Sequence, residues 1–236
     1  MNMASAPTLQ GPDARALARP LLPGFVALSA TDPGAAQPMA WPEERAALSR
    51  ALPGRLREFD AGRAAARAAM AGLGVAPAPV LHGADRAPIW PAGLTGSITH
   101  GAGACLAAVA RRRDLRAIGL DLEADAPLEP ELFETICTPE ELDRLATLPQ
   151  RARGQRARLI FSAKEAAYKA QYPLSRTLFD FHTLEIRLDT DDTNKRSDKF
   201  TARFLRPVAP FAAGSLISGR YAIGGGLIVT AATLPA

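Results

Sequence analysis

Two stretches of the chain share one order of strand, glycine turn and alanine-rich strand: GSITHGAGACLAAVA at residues 96–110 and SGRYAIGGGLIVTAA at residues 218–232. A glycine-centred turn between short apolar runs reads as a β-hairpin. An isolated hairpin is marginal in water and needs further strands or a helix over its apolar face. Two of them predict two related lobes, each a small antiparallel sheet packed with helices, meeting near residues 111–120. If the shared order is more than chance, the expected fold class is α/β in the α+β sense, arranged as a pseudodimer of two similar lobes. A length of 236 residues suffices for both lobes, and an apolar content of 47% excludes a disordered or fibrous chain.

Residues 1–20 are rich in Ala, Pro and Gly without a period, so a flexible arm is expected there. The N-terminal lobe is expected over 21–115 and the C-terminal lobe over 116–236. Residues 25–29 suit a short strand. Residues 41–73 have a helical pattern, broken at Pro53-Gly54, in which Phe59, Arg63 and Arg67 step by four and share a face. A loop over 72–91 carries Arg86, and His100 stands at the corner of the first hairpin. Helical patterns follow at 129–148 and, after Pro149, at 151–171, while residues 181–189 and 199–205 suit two more strands.

The formal charge is +4, and its distribution says more than its total. Residues 121–143 hold nine acids and no Lys or Arg, between flanks that are both basic. That pattern suits a cation beside a polyanionic ligand better than a nucleic-acid surface, for which no motif is present. The acids from Glu129 onward read as solvated helix faces. So do Arg151, Arg153, Arg156 and Arg158, which also offer a place for an acidic partner. Cys105 and Cys137 make no CxxC or zinc pattern, and His82 and His182 read as structural. No apolar run approaches the ~20 residues of a membrane span. With no leader pattern at the start, a cytoplasmic monomer is the expectation.

The chemistry concentrates in two segments. Residues 116–123 alternate, with Ile118, Leu120 and Leu122 on one face of a strand and Gly119, Asp121 and Glu123 on the other. Further on, FSAKEAAYK at 161–169 is helical and sets Glu165 on one face with Phe161, Tyr168 and Tyr172. Taken alone, Glu165 reads first as the partner of Lys169 in an i to i+4 ion pair, and a functional reading requires Asp121 and Glu123 to face it. If Asp121, Glu123 and Glu165 converge, their repulsion is ~4 kcal/mol per pair at 4 Å and an effective dielectric of 20. Such a cleft takes up protons or a cation. Carboxylates without His or Cys select Mg2+ or a relative, which also takes phosphate oxygens. Lys164 and Lys169, flanking Glu165, then suit the charge of a phosphate ester, and metal-assisted phosphoryl chemistry is the expectation.

Gly119-Leu120-Asp121-Leu122-Glu123, followed about forty residues later by Phe161-Ser162-Ala163-Lys164-Glu165-Ala166-Ala167-Tyr168-Lys169, resembles the paired signature of the 4'-phosphopantetheinyl transferases. Upstream, EFDAGR at 58–63 through Arg67, DRAPIWP at 85–91 and GSITH at 96–100 resemble the branch typified by enterobactin synthetase component D and the surfactin synthetase activating enzyme. The likeness runs from about residue 52 to 173. It implies a two-lobe fold and transfer of 4'-phosphopantetheine from coenzyme A to a serine of an apo acyl or peptidyl carrier protein. Mg2+ (or Mn2+) is the implied metal and adenosine 3',5'-bisphosphate the second product. The implied carriers serve siderophore, polyketide or nonribosomal peptide synthesis. Carried over by position, the resemblance implies Asp121, Glu123 and Glu165 as metal ligands and Glu165 as general base. It further implies Lys169 on the pyrophosphate, with Arg63, Arg67, Arg86 and His100 around the nucleotide. A coenzyme A-binding regulatory module and a metal-dependent phosphohydrolase are the competing readings.

Overall fold

The computed structural model describes residues 11–45, 52–190, 192 and 194–236. The chain opens with helix α1 (Gly11–Ala18) and a short 3-10 turn, then strand β1 (Ala27–Thr31), helix α2 (Pro42–Arg45) and the long helix α3 (Pro53–Gly72). Two short strands, β2 (Leu81–His82) and β3 (Pro88–Ile89), precede the first hairpin, β4 (Leu94–Gly101) and β5 (Ala104–Arg111). Strand β6 (Leu115–Ala124) leads to α4 (Phe133–Ile136), α5 (Pro139–Ala146) and the longest helix, α6 (Gln150–Ser175). Strands β7 (Leu184–Leu188), β8 (Ser197–Phe204), β9 (Leu216–Gly224) and β10 (Leu227–Pro235) complete the chain.

Both expected hairpins form, β4 with β5 and β9 with β10. Each turns through two residues of positive φ, Ala102-Gly103 and Gly225-Gly226, the geometry whose twist matches the flanking strands. Three antiparallel strands in the order β1-β5-β4 make the first sheet, and β6-β10-β9-β8-β7 make the second. One apolar cluster, with Leu106, Leu120, Leu122 and Val229, lies between the sheets. A second, with Met70 and Val109, lies under α3, and the largest, with Ile160, Ala163, Phe200 and Ile228, lies under α6.

The likeness of the lobes extends beyond the hairpins. Trp41-Pro42-Glu43-Glu44 opens α2 and Thr138-Pro139-Glu140-Glu141 opens α5, and the last Glu of each is fully buried. Glu44 accepts the N–H of Trp41 (2.8 Å) and of Val80 (2.8 Å) and pairs with Arg67 of α3 at 2.9 Å. Glu141 accepts the N–H of Thr138 (2.8 Å) and of Ile186 (2.6 Å) and pairs with Lys164 of α6 at 2.7 Å. In both cases the glutamate lies 23 residues before its cation. A carboxylate at the third helical position closes the helix start, and burial makes its remaining partners obligatory. Each long helix is thereby bolted to a short helix and to a stretch of extended chain.

Several expectations change. The flexible arm is replaced, from residue 11 onward, by α1 and its 3-10 turn, with Ala14, Ala18, Leu21 and Leu22 buried against the inter-sheet cluster. Residues 1–10, and 46–51 of the expected first helix, lie outside the described residues. The expected break at Pro53-Gly54 falls at the start of α3, where Pro53 is the first helical residue, as suits a residue without an N–H. The last helix runs through Pro173 to Ser175. Glu141 is no solvated acid, and Cys105 and Cys137 are buried and free.

Strand β6 meets α6 through Gly119. A Cβ built there would stand 1.8 Å from the Ala166 carbonyl oxygen and 2.6 Å from the Ala170 nitrogen. Both obstacles are backbone, so no side chain can yield. Gly119→Ala is expected to lower unfolding free energy by about 3 kcal/mol, the upper range of overpacking, read from urea titration; an unchanged midpoint would place strand and helix farther apart. By the same measurement Lys164→Ala, which strands Glu141 as a buried charge, is expected to cost about 3 to 5 kcal/mol.

Candidate active site

Alternation along β4 sets up the boundary between the lobes. Thr95, Ser97 and Thr99 face β6: Thr95 Oγ1 donates to the Arg116 carbonyl (3.3 Å), and Ser97 Oγ accepts the Leu120 N–H (3.0 Å). Thr99 Oγ1 reaches Asp121 Oδ1 at 3.4 Å. On the other face, Ile98 packs over Gly62 of α3 and His100 meets Arg55 at its first turn. Gly101 completes the approach, since a Cβ there would be 2.2 Å from the Leu122 carbonyl oxygen.

Asp121 is buried beside α6. Its Oδ1 accepts from Lys169 Nζ at 2.6 Å, while its Oδ2 is buried with no hydrogen-bond partner. Lys169 also faces Glu165 at 3.9 Å and Thr99 Oγ1 at 3.5 Å. Glu123, two residues on, pairs with Arg158 of α6 at 3.2 Å. Burial raises the pKa of Glu165, against the pull of Lys169 and with the push of Asp121. Burial and the Asp121 charge likewise raise Glu123. The sequence thus brings Asp121, Glu165 and Lys169 together as expected, with Glu123 at the margin.

No three His, Cys, Asp or Glu side chains form a ready metal cage among the described residues. Lys169 and Arg158 are the cations that face the carboxylates. A divalent ion nevertheless fits the donor set: an orphaned buried carboxylate oxygen is costly, and burial, with the Asp121 charge second to it, makes two neighbouring carboxylates resist ionisation.

The basic residues divide. Lys164 is 1% exposed, and besides Glu141 it donates to the carbonyls of Ile136 (2.7 Å) and Phe181 (3.0 Å). Its ammonium is committed to structure, which corrects its assignment to a phosphate ester. Arg67 is its counterpart in the first lobe, held by Glu44 and by the carbonyls of Pro38 and Met39, with its guanidinium over the Trp41 ring. Arg63 is different. It stacks on Phe59 at 4.3 Å, and its buried Nε stands 3.9 Å from Glu44 Oε1, an ion pair too long for a hydrogen bond. Burial draws its pKa down to about 10. The His100 side chain is partly exposed; desolvation of its remaining surface and the Arg55 charge lower its pKa, and its Nε2 meets the Arg55 guanidinium.

Arg86 lies on the turn between β2 and β3 at one wall of a cavity of about 330 Å³, which Trp90, Ser97, Lys169 and Tyr172 also line. A smaller hollow of about 130 Å³ is formed by Glu165, Tyr168, Phe179, Phe181 and Leu184, so the carboxylate does stand among aromatic rings. Arg55 and Thr99 were not singled out from the sequence. The Thr-x-Ser-x-Thr alternation at 95–99 is the signal that points to Thr99, whereas nothing local marks Arg55. Three of the four arginines at the start of α6 are engaged: Arg153 donates to the carbonyls of Ala146 and Leu148, Arg156 to that of Thr190, and Arg158 holds Glu123, while Arg151 is exposed.

Comparison with known proteins covers both lobes. A family model described as 4'-phosphopantetheinyl transferase N-terminal domain matches residues 43–110, and one described as 4'-phosphopantetheinyl transferase superfamily matches residues 117–223. The likeness thus reaches beyond residues 52–173 at both ends. The 4'-phosphopantetheinyl transferase Svp of Streptomyces mobaraensis is 42% identical over 202 residues, which cover 84% of this chain and 80% of the relative. PptT of Mycobacterium tuberculosis is 36% identical over 207 residues, covering 86% and 89%. Enterobactin synthase component D of Escherichia coli is 39% identical over 136 residues, covering 57% and 63%. With both family models in register on the two lobes, and such relatives matched over most of their length, the chain belongs to the 4'-phosphopantetheinyl transferases, enzymes that transfer phosphopantetheine to carrier proteins.

Proposed function

We propose that this enzyme takes 4'-phosphopantetheine from coenzyme A and attaches it to a serine hydroxyl of an apo acyl or peptidyl carrier protein. The observation that carries the reading is the buried, unpartnered Asp121 Oδ2 beside Glu165 and Lys169, next to a cavity bordered by Arg86. The serine oxygen attacks the phosphorus that bears pantetheine. The bond from that phosphorus to the bridging pyrophosphate oxygen breaks, and adenosine 3',5'-bisphosphate leaves. Asp121, Glu123 and Glu165 would hold Mg2+ or Mn2+. The ion, when bound, supplies positive charge to the pyrophosphate.

The chain's own groups do the rest. Glu165, with its affinity for a proton raised by burial, takes the serine proton. Lys169 sits within reach of both Asp121 and the cavity, so it can neutralise negative charge on the pyrophosphate. Arg63, Arg55 and His100 form a basic corner on α3 and β4 suited to the 3'-phosphate, and Arg86 faces the nucleotide from the cavity wall. No nucleophile of the enzyme's own is needed, because the attacking alcohol belongs to the carrier. The lobes divide at the turn before β6, close to the expected boundary at 115/116 and between the two matched segments. A monomer acting in the cytoplasm suffices for this chemistry.

The direct test is mass spectrometry of an apo carrier incubated with enzyme, coenzyme A and Mg2+. Transfer adds one phosphopantetheine to one serine, whereas phosphate release without carrier modification would favour the hydrolase reading. Asp121→Ala is expected to abolish turnover and also to remove the rise in thermal midpoint that Mg2+ gives the wild type; a Mg2+ response equal to wild type would refute the ligand assignment. Glu165→Gln keeps size but loses basicity, and a fall in kcat of ~10² or more is expected. Wild-type turnover at neutral pH in that variant would leave Glu165 only its ion pair.

A further inference from the structure

The turn that carries Arg86 is unusual in its backbone and in its partner. It is closed by the Arg86 N–H on the Gly83 carbonyl (2.9 Å) and by the Gly83 N–H on the Ala87 carbonyl (3.0 Å). Arg86 has φ +64°, the left-handed region that glycine enters freely and a branched chain avoids. Among the described residues its guanidinium makes no hydrogen bond or ion pair, and it borders the large cavity. A residue held in a rare conformation with its charge unspent needs something to hold it.

Asp85 supplies that. One oxygen, Oδ1, accepts the Ala87 N–H at 3.0 Å and fixes the turn from within. The other, Oδ2, accepts the Tyr172 hydroxyl at 2.6 Å, with Arg176 at 3.7 Å. Tyr172 lies on α6, 87 residues away in sequence and three residues after Lys169. It is buried and stacks on Tyr168 at 5.8 Å, so it is a rigid post. The Tyr172 hydroxyl also holds the Asp85 carboxyl below its ordinary pKa, which keeps the acceptor charged.

We propose that Asp85 and Tyr172 form a latch between the lobes that positions Arg86 on the wall of the substrate cavity, in register with Lys169. Asp85 and Tyr172 are then positioning residues, and the phosphates of coenzyme A are the group that the positioned guanidinium meets. The inference rests on the reading of Arg86 given above, so the test separates the two.

Tyr172→Phe removes only the hydroxyl. The KM for coenzyme A is expected to rise on the order of 10-fold, the loss of one hydrogen bond to a charged group, with kcat and the KM for the carrier moving less. Arg86→Ala should act in the same direction, and the double variant should be no worse than Arg86→Ala alone, because both remove one contact. Additive losses, or a carrier KM that rises as much as that for coenzyme A, would overturn the latch. Limited trypsin digestion reads the turn without activity: cleavage after Arg86, identified by mass, should be several-fold faster in Tyr172→Phe at an unchanged thermal midpoint. A wild-type cleavage rate overturns the latch. If Arg86→Ala leaves the KM for coenzyme A unchanged, the role given to Arg86 falls instead, whatever trypsin reports on the turn.

Discussion

A buried glutamate at the start of a short helix, met by a cation on a long one, is the interaction on which each lobe depends. Glu44 and Glu141 each gather two backbone donors and one side-chain cation, at the same 23-residue spacing. Two charges without water need every partner, and losing one exposes the desolvation cost of the other. The pairs therefore fix the axial position of α3 and α6. Everything those helices present at the lobe boundary, Arg55 and Arg63 from one side, Glu165 and Lys169 from the other, takes its register from them.

The second constraint is the closeness of the two backbones at β6 and α6. With no Cβ at Gly119, the strand comes within contact of the helix, and Asp121 is carried down to Lys169. Lys169 neutralises one oxygen of Asp121 and leaves the other bare. Three carboxylates stand beside one lysine and one arginine, and burial, aided by the Asp121 charge, raises the pKa of Glu123 and Glu165. A site in that condition attracts a cation and, once neutralised, a polyanion. The structural economy and the proposed chemistry have the same source.

Hairpins, the alternating carboxylate strand and the helix that carries Glu165 were legible because each has a short-range period that tertiary packing reinforces. Burial of charge was not. Pro-Glu-Glu at 42–44 and 139–141 reads locally as an ordinary helix start, and only the neighbours of Val80 and Ile186 make the last glutamate internal. For the same reason Arg67 and Lys164, placed by motif near the ligand, turn out to be anchors. The arm from residue 11 was misread because α1 is short and alanine-rich, with too little periodicity to show the face it buries. Long-range partners such as Asp85 and Tyr172 leave no trace in spacing at all.

Superposing the helices by their anchors, Arg67 on Lys164, shows where the lobes have diverged. Glu165 falls on Ala68 and Lys169 on Gly72, so the first lobe has neither the base nor the lysine. Arg63 falls on Ile160, a core residue of the second lobe. An arginine at a position that its counterpart fills with an apolar side chain is buried at a cost, seen in an Nε without a hydrogen bond and a pKa drawn down to about 10. That cost is not repaid by Glu44, whose closer partner is Arg67. The second lobe has a group in a comparable condition, Asp121, whose Oδ2 is a buried acceptor without a donor. Under the proposed function, a substrate anion held by the first lobe and a cation held by the second would relieve both.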